Sequence, residues 1–197
     1  MSNPQFVSFV FLVYGASFFL VYLIELGYES LAMKKPVRDI LGGLLLGLVV
    51  LAIQLVIQAV HHPDLPQSLP DGRFLLILLS LVYYGVSGGT VTLMALWAIS
   101  LAQGYRPVDF LIVHALVVYL LGLVLRRYMR RLPLKYHPLA ILGGTALTQL
   151  AALGTVALLM TDSVAKENYF GSFPFIFLLL EIYSLAISVI FVANHQV

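Results

Sequence analysis

The chain contains no cysteine, which excludes disulfides and thiol chemistry. Charge is nearly as scarce. Asp, Glu, Lys and Arg make up 10% of the 197 residues, against 61% hydrophobic residues and a mean hydropathy of +0.99. That balance lies far outside the range of soluble domains and identifies an integral membrane protein. The amino-terminal stretch MSNPQFVSFVFLVYGASFFLVYLIEL lacks the basic n-region and small-residue cleavage site of a secretory signal, so it reads as a retained first helix. Also missing are a His-x-x-x-His pair, a nucleophile–base pair and a phosphate-cradling loop. The chain is therefore expected to be no enzyme and to hold no cofactor or metal.

What is present is a succession of apolar segments near 6–27, 39–60, 73–86, 89–104, 108–125, 138–161 and 173–193. They predict one all-α polytopic bundle of about seven helical segments, with no second domain. Lys34, Lys35 and Arg38 follow the first segment, and Arg126, Arg127, Arg130, Arg131 and Lys135 follow the fifth. The positive-inside rule puts both clusters in the cytoplasm and leaves Arg73, Arg106 and Lys166 outside. The two clusters share a side whether the 73–104 hairpin crosses twice or re-enters, which predicts an outside N-terminus and a cytoplasmic C-terminus. The stretches HHPDLPQSLPDGR and TDSVAKENYFGS carry the turn chemistry of external loops. Gly42-Gly43 and Gly143-Gly144 open two segments in the same way and are expected to serve close helix packing.

The hairpin is the unusual element. Its apolar run is broken at Gly85 and again at Ser87-Gly88-Gly89, leaving two pieces of about 14 residues, or roughly 21 Å each. Each falls short of the ~30 Å of hydrocarbon in a bilayer. Irregular backbone at that depth persists only where protein or a wet cavity satisfies its polar groups, so the hairpin is expected to line something.

Polar residues inside the apolar segments are costly unless paired or wetted. Gln54 and Gln58 share one helical face with Gly47 and His61 or His62, and read either as interhelical hydrogen bonds or as ligand contacts. His114 is a packed histidine or a pocket residue. Thr145, Thr148 and Gln149 form one stripe, and Glu181, Ser184 and Ser188 another. Glu181 is the carboxylate expected to touch a ligand or to pair with a cation or with His114. Counted from the expected outer ends, Gln54, Gln58, His114 and Glu181 occupy the outer half, Gln149 lies near the midplane, and Arg73 marks the outer boundary. Glu25 and Glu29 read as interfacial residues near Lys34 and Lys35. His61, His62 and Asp64 are turn residues rather than metal ligands, and the many Tyr and Phe side chains are lipid and interface contacts.

Asp71-Gly72-Arg73, an apolar half-helix, Tyr84-Gly85-Val86-Ser87-Gly88-Gly89, a second half-helix and Gly104-Tyr105 together resemble the LytS-type five-transmembrane sensor domain. Its second half-helix commonly ends near an arginine, where this chain has Ser100 and Gln103. Arg73 and the Gly85/Gly88/Gly89 break are the positions the resemblance carries across. It implies a sensory domain of the bacterial inner membrane that binds a small ligand and signals to a cytoplasmic output domain such as a diguanylate cyclase or histidine kinase. Expected partners are the lipid bilayer, the small ligand, that output domain and a second copy of the chain, with no nucleic acid. The homodimer contact is expected on Ser184 and Ser188 or on the glycine-bearing second segment. The candidate ligand residues are Arg73, His114, Glu181, Gln54, Gln58 and Gln149. A substrate-binding component of a transporter, or a small secondary transporter, is the alternative reading. The chain stops at VANHQV as the last segment emerges, so the output is expected to follow it or to come from a partner.

Overall fold

The computed structural model describes residues 19–20, 23, 27, 34–59, 73–102, 108–159, 161 and 163–194. Among them six α-helices follow one another: α1 Lys35–Ala59, α2 Arg73–Tyr83, α3 Gly85–Ala102, α4 Val108–Met129, α5 His137–Leu159 and α6 Ser163–Asn194. A short 3-10 turn, Leu134–Tyr136, precedes α5. Four stretches are long and apolar enough to cross a bilayer: Gly85–Ala102, Ile112–Met129, Leu134–Leu159 and Phe173–Ile190. The protein is an all-α polytopic membrane bundle. Of the expected first segment, residues 19, 20, 23 and 27 are described, and they are helical. Glu25, Glu29, His61, His62 and Asp64 lie outside the described residues.

The helices pack in the order α1, α3, α2, α4, α5, α6. Short α2 is the innermost, with every residue from Arg73 to Leu81 buried. A helix apolar on all sides has no face to give to a polar solvent, and this one is enclosed by its neighbours. Leu44, Leu48, Met94, Leu120, Leu147 and Ile182 point outward and are exposed. That costs little where the surroundings are lipid tails, so van der Waals packing and interhelical hydrogen bonds hold the bundle instead.

The hairpin has one break, not two. Gly85, with φ +81°, takes the left-handed conformation that ends α2. Residues 87–89 lie inside α3, whose 18 residues span about 27 Å and suffice by length and composition to cross a bilayer. Those glycines serve contact rather than a turn. A Cβ on Gly88 would stand 2.7 Å from the Asp39 carbonyl oxygen, and one on Gly43 would stand 2.7 Å from the Gly88 Cα. Thr92 closes the crossing, its Oγ1 2.9 Å from Ser80 Oγ and 3.1 Å from the carbonyl oxygens of Gly43 and Gly88. One hydroxyl thus ties α1, α2 and α3 together.

The Tyr84–Gly85 turn lies between the start of α1 and the end of α4, where a Cβ on Gly85 would meet the Arg126 guanidinium at 2.7 Å. Both basic clusters therefore sit at one end of the bundle, and the hairpin reaches that end. There the His137 ring Nε2 lies 3.1 Å from the Met129 carbonyl oxygen and 3.3 Å from that of Leu132, closing the connection between α4 and α5. At the opposite end Lys166 Nζ donates to the Ala157 carbonyl at 2.7 Å, supplying a partner to the last turn of α5.

Three further expectations change. The stretch expected as an external loop is helical from Ser163, because α6 has 32 residues, about 48 Å of helix. Pro174 removes one N–H from α6 without ending it. Arg73 is not at a boundary: it is 2% exposed and adjoins Phe74, whose ring packs on His114 well inside α4. The short α2 begins within the bundle rather than at its rim. Finally, the surfaces expected to join two copies are used inside one chain. Gly42, Gly43 and Gly47 face Tyr84, Gly88 and Ala95, and Ser184 and Ser188 are fully buried. Gly144 meets Leu125 as a packing glycine, whereas a Cβ on Gly143 would meet nothing.

Candidate functional site

The polar stripes of α5 and α6 face each other because each repeats at the three- and four-residue spacing of one helix face. Glu181, 9% exposed, is held by two neutral donors. Thr145 Oγ1 lies 2.8 Å from Oε2, and Gln149 Nε2 donates to Oε1 at 2.9 Å. Ser184 Oγ lies 3.2 Å from Thr145 Oγ1 and donates to the Glu181 carbonyl at 2.9 Å. Thr148 Oγ1 donates to the Thr145 carbonyl at 2.8 Å. His114, one of the alternative partners expected for Glu181, is not bonded to it: the carboxylate is bonded to a threonine and an amide.

A cavity of about 30 Å³ opens beside this set, enough for about two water molecules. Its polar wall is His114 of α4 with Thr145, Thr148 and Gln149 of α5. Its apolar wall is Phe74 and Leu75 of α2, Ala152 of α5, and Tyr169, Phe173 and Leu180 of α6. His114, 4% exposed, is held with its ring centroid 4.3 Å from that of Phe74 in an edge arrangement. Glu181 stands one hydrogen bond behind the wall, through Gln149 and Thr145. Gln149 gives its N–H to that carboxylate, while its buried Oε1 accepts no hydrogen bond from any described residue.

Of the six residues read from the sequence as ligand contacts, the structure brings three together: His114 and Gln149 in the wall, and Glu181 behind it. Arg73 is one residue from Phe74 but is not part of the lining. The side chains of Gln54 and Gln58 lie outside the described residues, and their helix α1 packs on α3. Ser100 is fully buried. No group of three His, Asp or Glu able to hold a metal occurs among the described residues.

Sequence reading missed the aromatic side of the cavity. Phe170 and Phe175 are exposed, in keeping with lipid contact, but Phe74 and Tyr169 are buried at 4% and 3% exposure. The signal was there: Tyr169, Phe173, Leu180, Glu181 and Ser184 follow the helical repeat of one α6 face. Only the supposed loop at 161–172 hid its continuity. Compared with known proteins, the chain matches no family model, no curated protein and no solved structure.

Proposed function

We propose that this chain is a sensory module of the bacterial inner membrane that takes a small ligand in the cavity between α2, α4, α5 and α6 and reports it through α6. The observation that carries this reading is the cavity itself, walled by His114, Thr145, Thr148 and Gln149 and backed by the buried Glu181 carboxyl. A cavity with a polar wall inside a membrane bundle is costly if left empty, and an occupant that bonds to that wall is stabilised in return. From Glu181, α6 continues unbroken to Asn194, about 20 Å further along the helix. A ligand that favours one packing of the α5–α6 stripes would shift the population of positions at that helix end. The role requires no chemistry. In this reading the basic end is cytoplasmic, the N-terminus lies outside, and the output is a cyclase or kinase domain beyond α6. The module works as a homodimer.

The absence of cysteine makes the motion measurable. Spin labels at Arg131→Cys and Ala193→Cys, both exposed positions, report the separation of the α4 and α6 ends by pulsed electron resonance. Ala152→Val adds two carbons, about the room the cavity has, and we expect it to move the distance distribution in nanodiscs without unfolding the chain. An unchanged distribution with the cavity filled overturns the coupling. A second reading, a substrate-binding transport component, draws on the short, buried α2 that starts within the bundle. Uptake of a labelled solute into vesicles containing only this chain would favour it.

A further inference from the structure

We infer that Arg127 and Arg131 form a clamp for the headgroup phosphate of an anionic phospholipid whose acyl chains lie along α4. Leu120, Val124, Arg127 and Arg131 follow one another at spacings of four, three and four residues, which puts them on one helix face. All four are exposed. Leu120 and Val124 belong to the apolar stretch Ile112–Met129, and the two arginines stand at its end. The register survives past the last residue of α4, because Arg130 N lies 3.1 Å from the Arg126 carbonyl oxygen and Arg131 N 3.0 Å from that of Tyr128. Tyr128 and Tyr136 are exposed at the same end, as aromatic side chains are at headgroup level. The bonds from His137 to the Met129 and Leu132 carbonyls hold the turn that follows, so the clamp sits on fixed backbone.

Charge sets the ligand. The two basic clusters, of three and five residues, bring eight cations to this end of the bundle, against one carboxylate among the described residues there, Asp39. Asp39 acts on Arg126, whose guanidinium adjoins the Gly85 turn. Residues 119–140 contain no Asp or Glu, so neither Arg127 nor Arg131 has a carboxylate within two turns along its own segment. Like charges four residues apart on a helix repel, and one phosphate between them turns that repulsion into two charge-assisted contacts. The planar guanidinium forks suit its oxygens. A free phosphate or an acidic protein surface would use the arginines alone. A phospholipid uses the whole stripe, with its phosphate on the arginines and an acyl chain on Val124 and Leu120. The carboxyl end of α4 favours cations by itself, but it does not discriminate between headgroups, and that discrimination is what the clamp adds. None of these residues lines the cavity.

The test uses the whole chain, delipidated in a maltoside detergent and titrated with phosphatidylglycerol, phosphatidylcholine or inorganic phosphate. Melting temperature is followed, and bound lipid is counted by native mass spectrometry. We expect a saturable rise with phosphatidylglycerol, at an apparent affinity at least about tenfold above that of phosphatidylcholine, and no rise with inorganic phosphate. Arg127→Gln combined with Arg131→Gln should remove the preference. Lys34→Gln combined with Lys35→Gln takes the same charge from exposed positions at the same end and should keep it, which separates the clamp from bulk charge. If the glutamine pair at 127 and 131 does not fold, Arg127→Lys with Arg131→Lys retains both charges, loses the forks and should still weaken the preference. An unaltered preference in whichever arginine pair folds overturns the clamp. So does a preference lost equally in the Lys34 and Lys35 pair. An equal response to the two lipids overturns it as well and leaves the arginines as an orientation anchor, free for an acidic protein surface. A saturable response to inorganic phosphate alone replaces the lipid by a soluble anion.

Discussion

At the residue scale, Glu181 is tolerated inside the bundle because its two oxygens each meet a donor, and the donors come from one turn of the facing helix. The two threonines beside it differ in what they do. Thr145 reaches across to α6, whereas among the described residues Thr148 bonds only within α5. Thr145→Val should therefore destabilise the protein by about 1–2 kcal/mol, since it leaves a carboxylate oxygen without its donor. Thr148→Val should cost only a few tenths of a kcal/mol, because the carbonyl it bonds keeps its helical partner. Reversible unfolding in mixed detergent would measure both. Equal losses would mean that the Thr145–Glu181 bond contributes nothing to stability.

At the element scale, α1 and α3 approach until backbone meets backbone, and α2 is sealed between α3 and α4. Gly88→Ala places a methyl against the Asp39 carbonyl, an atom fixed in a helix that cannot swing aside. Overpacking of this kind typically costs about 1–3 kcal/mol, so the variant should melt clearly below the parent. Gly143→Ala is the contrasting case, for its new methyl meets open space on the exposed face of α5. There the gain in helix propensity should leave stability unchanged or raise it by about 0.5–1 kcal/mol. A detergent melting series with both variants checks the pair, and a Gly88→Ala protein as stable as Gly143→Ala would contradict the tight crossing.

At the scale of the whole molecule, the bundle has a basic end, marked by Arg126 beside the Tyr84–Gly85 turn, and an opposite end closed by Lys166 on Ala157. The charge bias predicts which end faces the cytoplasm. In intact cells, cysteine at Ser163 should react with an impermeant thiol reagent, and cysteine at Pro133 should react only after the membrane is opened. Reaction at Pro133 in sealed cells would invert the orientation. Oligomer formation must use surfaces other than the buried Gly43 and Ser184 faces, and light scattering in nanodiscs would read the resulting mass.

Hydropathy, charge bias and helical periodicity are properties of the chain itself, and they sufficed for the class, the helix count, the shared side of the two basic clusters and the polar stripes carrying Gln149 and Glu181. Each depends on nearest neighbours along one helix or on transfer into lipid, which needs no partner. The partners were decided only by packing. A glycine pair reads alike in sequence as a break or as a contact, and Gly88-Gly89 proved to be a contact because α1 lies against it while Gly85 alone takes positive φ. A Tyr or Phe on an apolar helix reads alike as facing lipid or a cavity, and Tyr169 turned inward because α6 continues helically through the stretch that resembled a loop. Likewise Arg73 was drawn inside by the shortness of α2, and Glu181 met Thr145 and Gln149 rather than His114 because α5 is the helix packed against α6. Which side chains meet depends on the register between helices, a tertiary quantity that no single helix encodes.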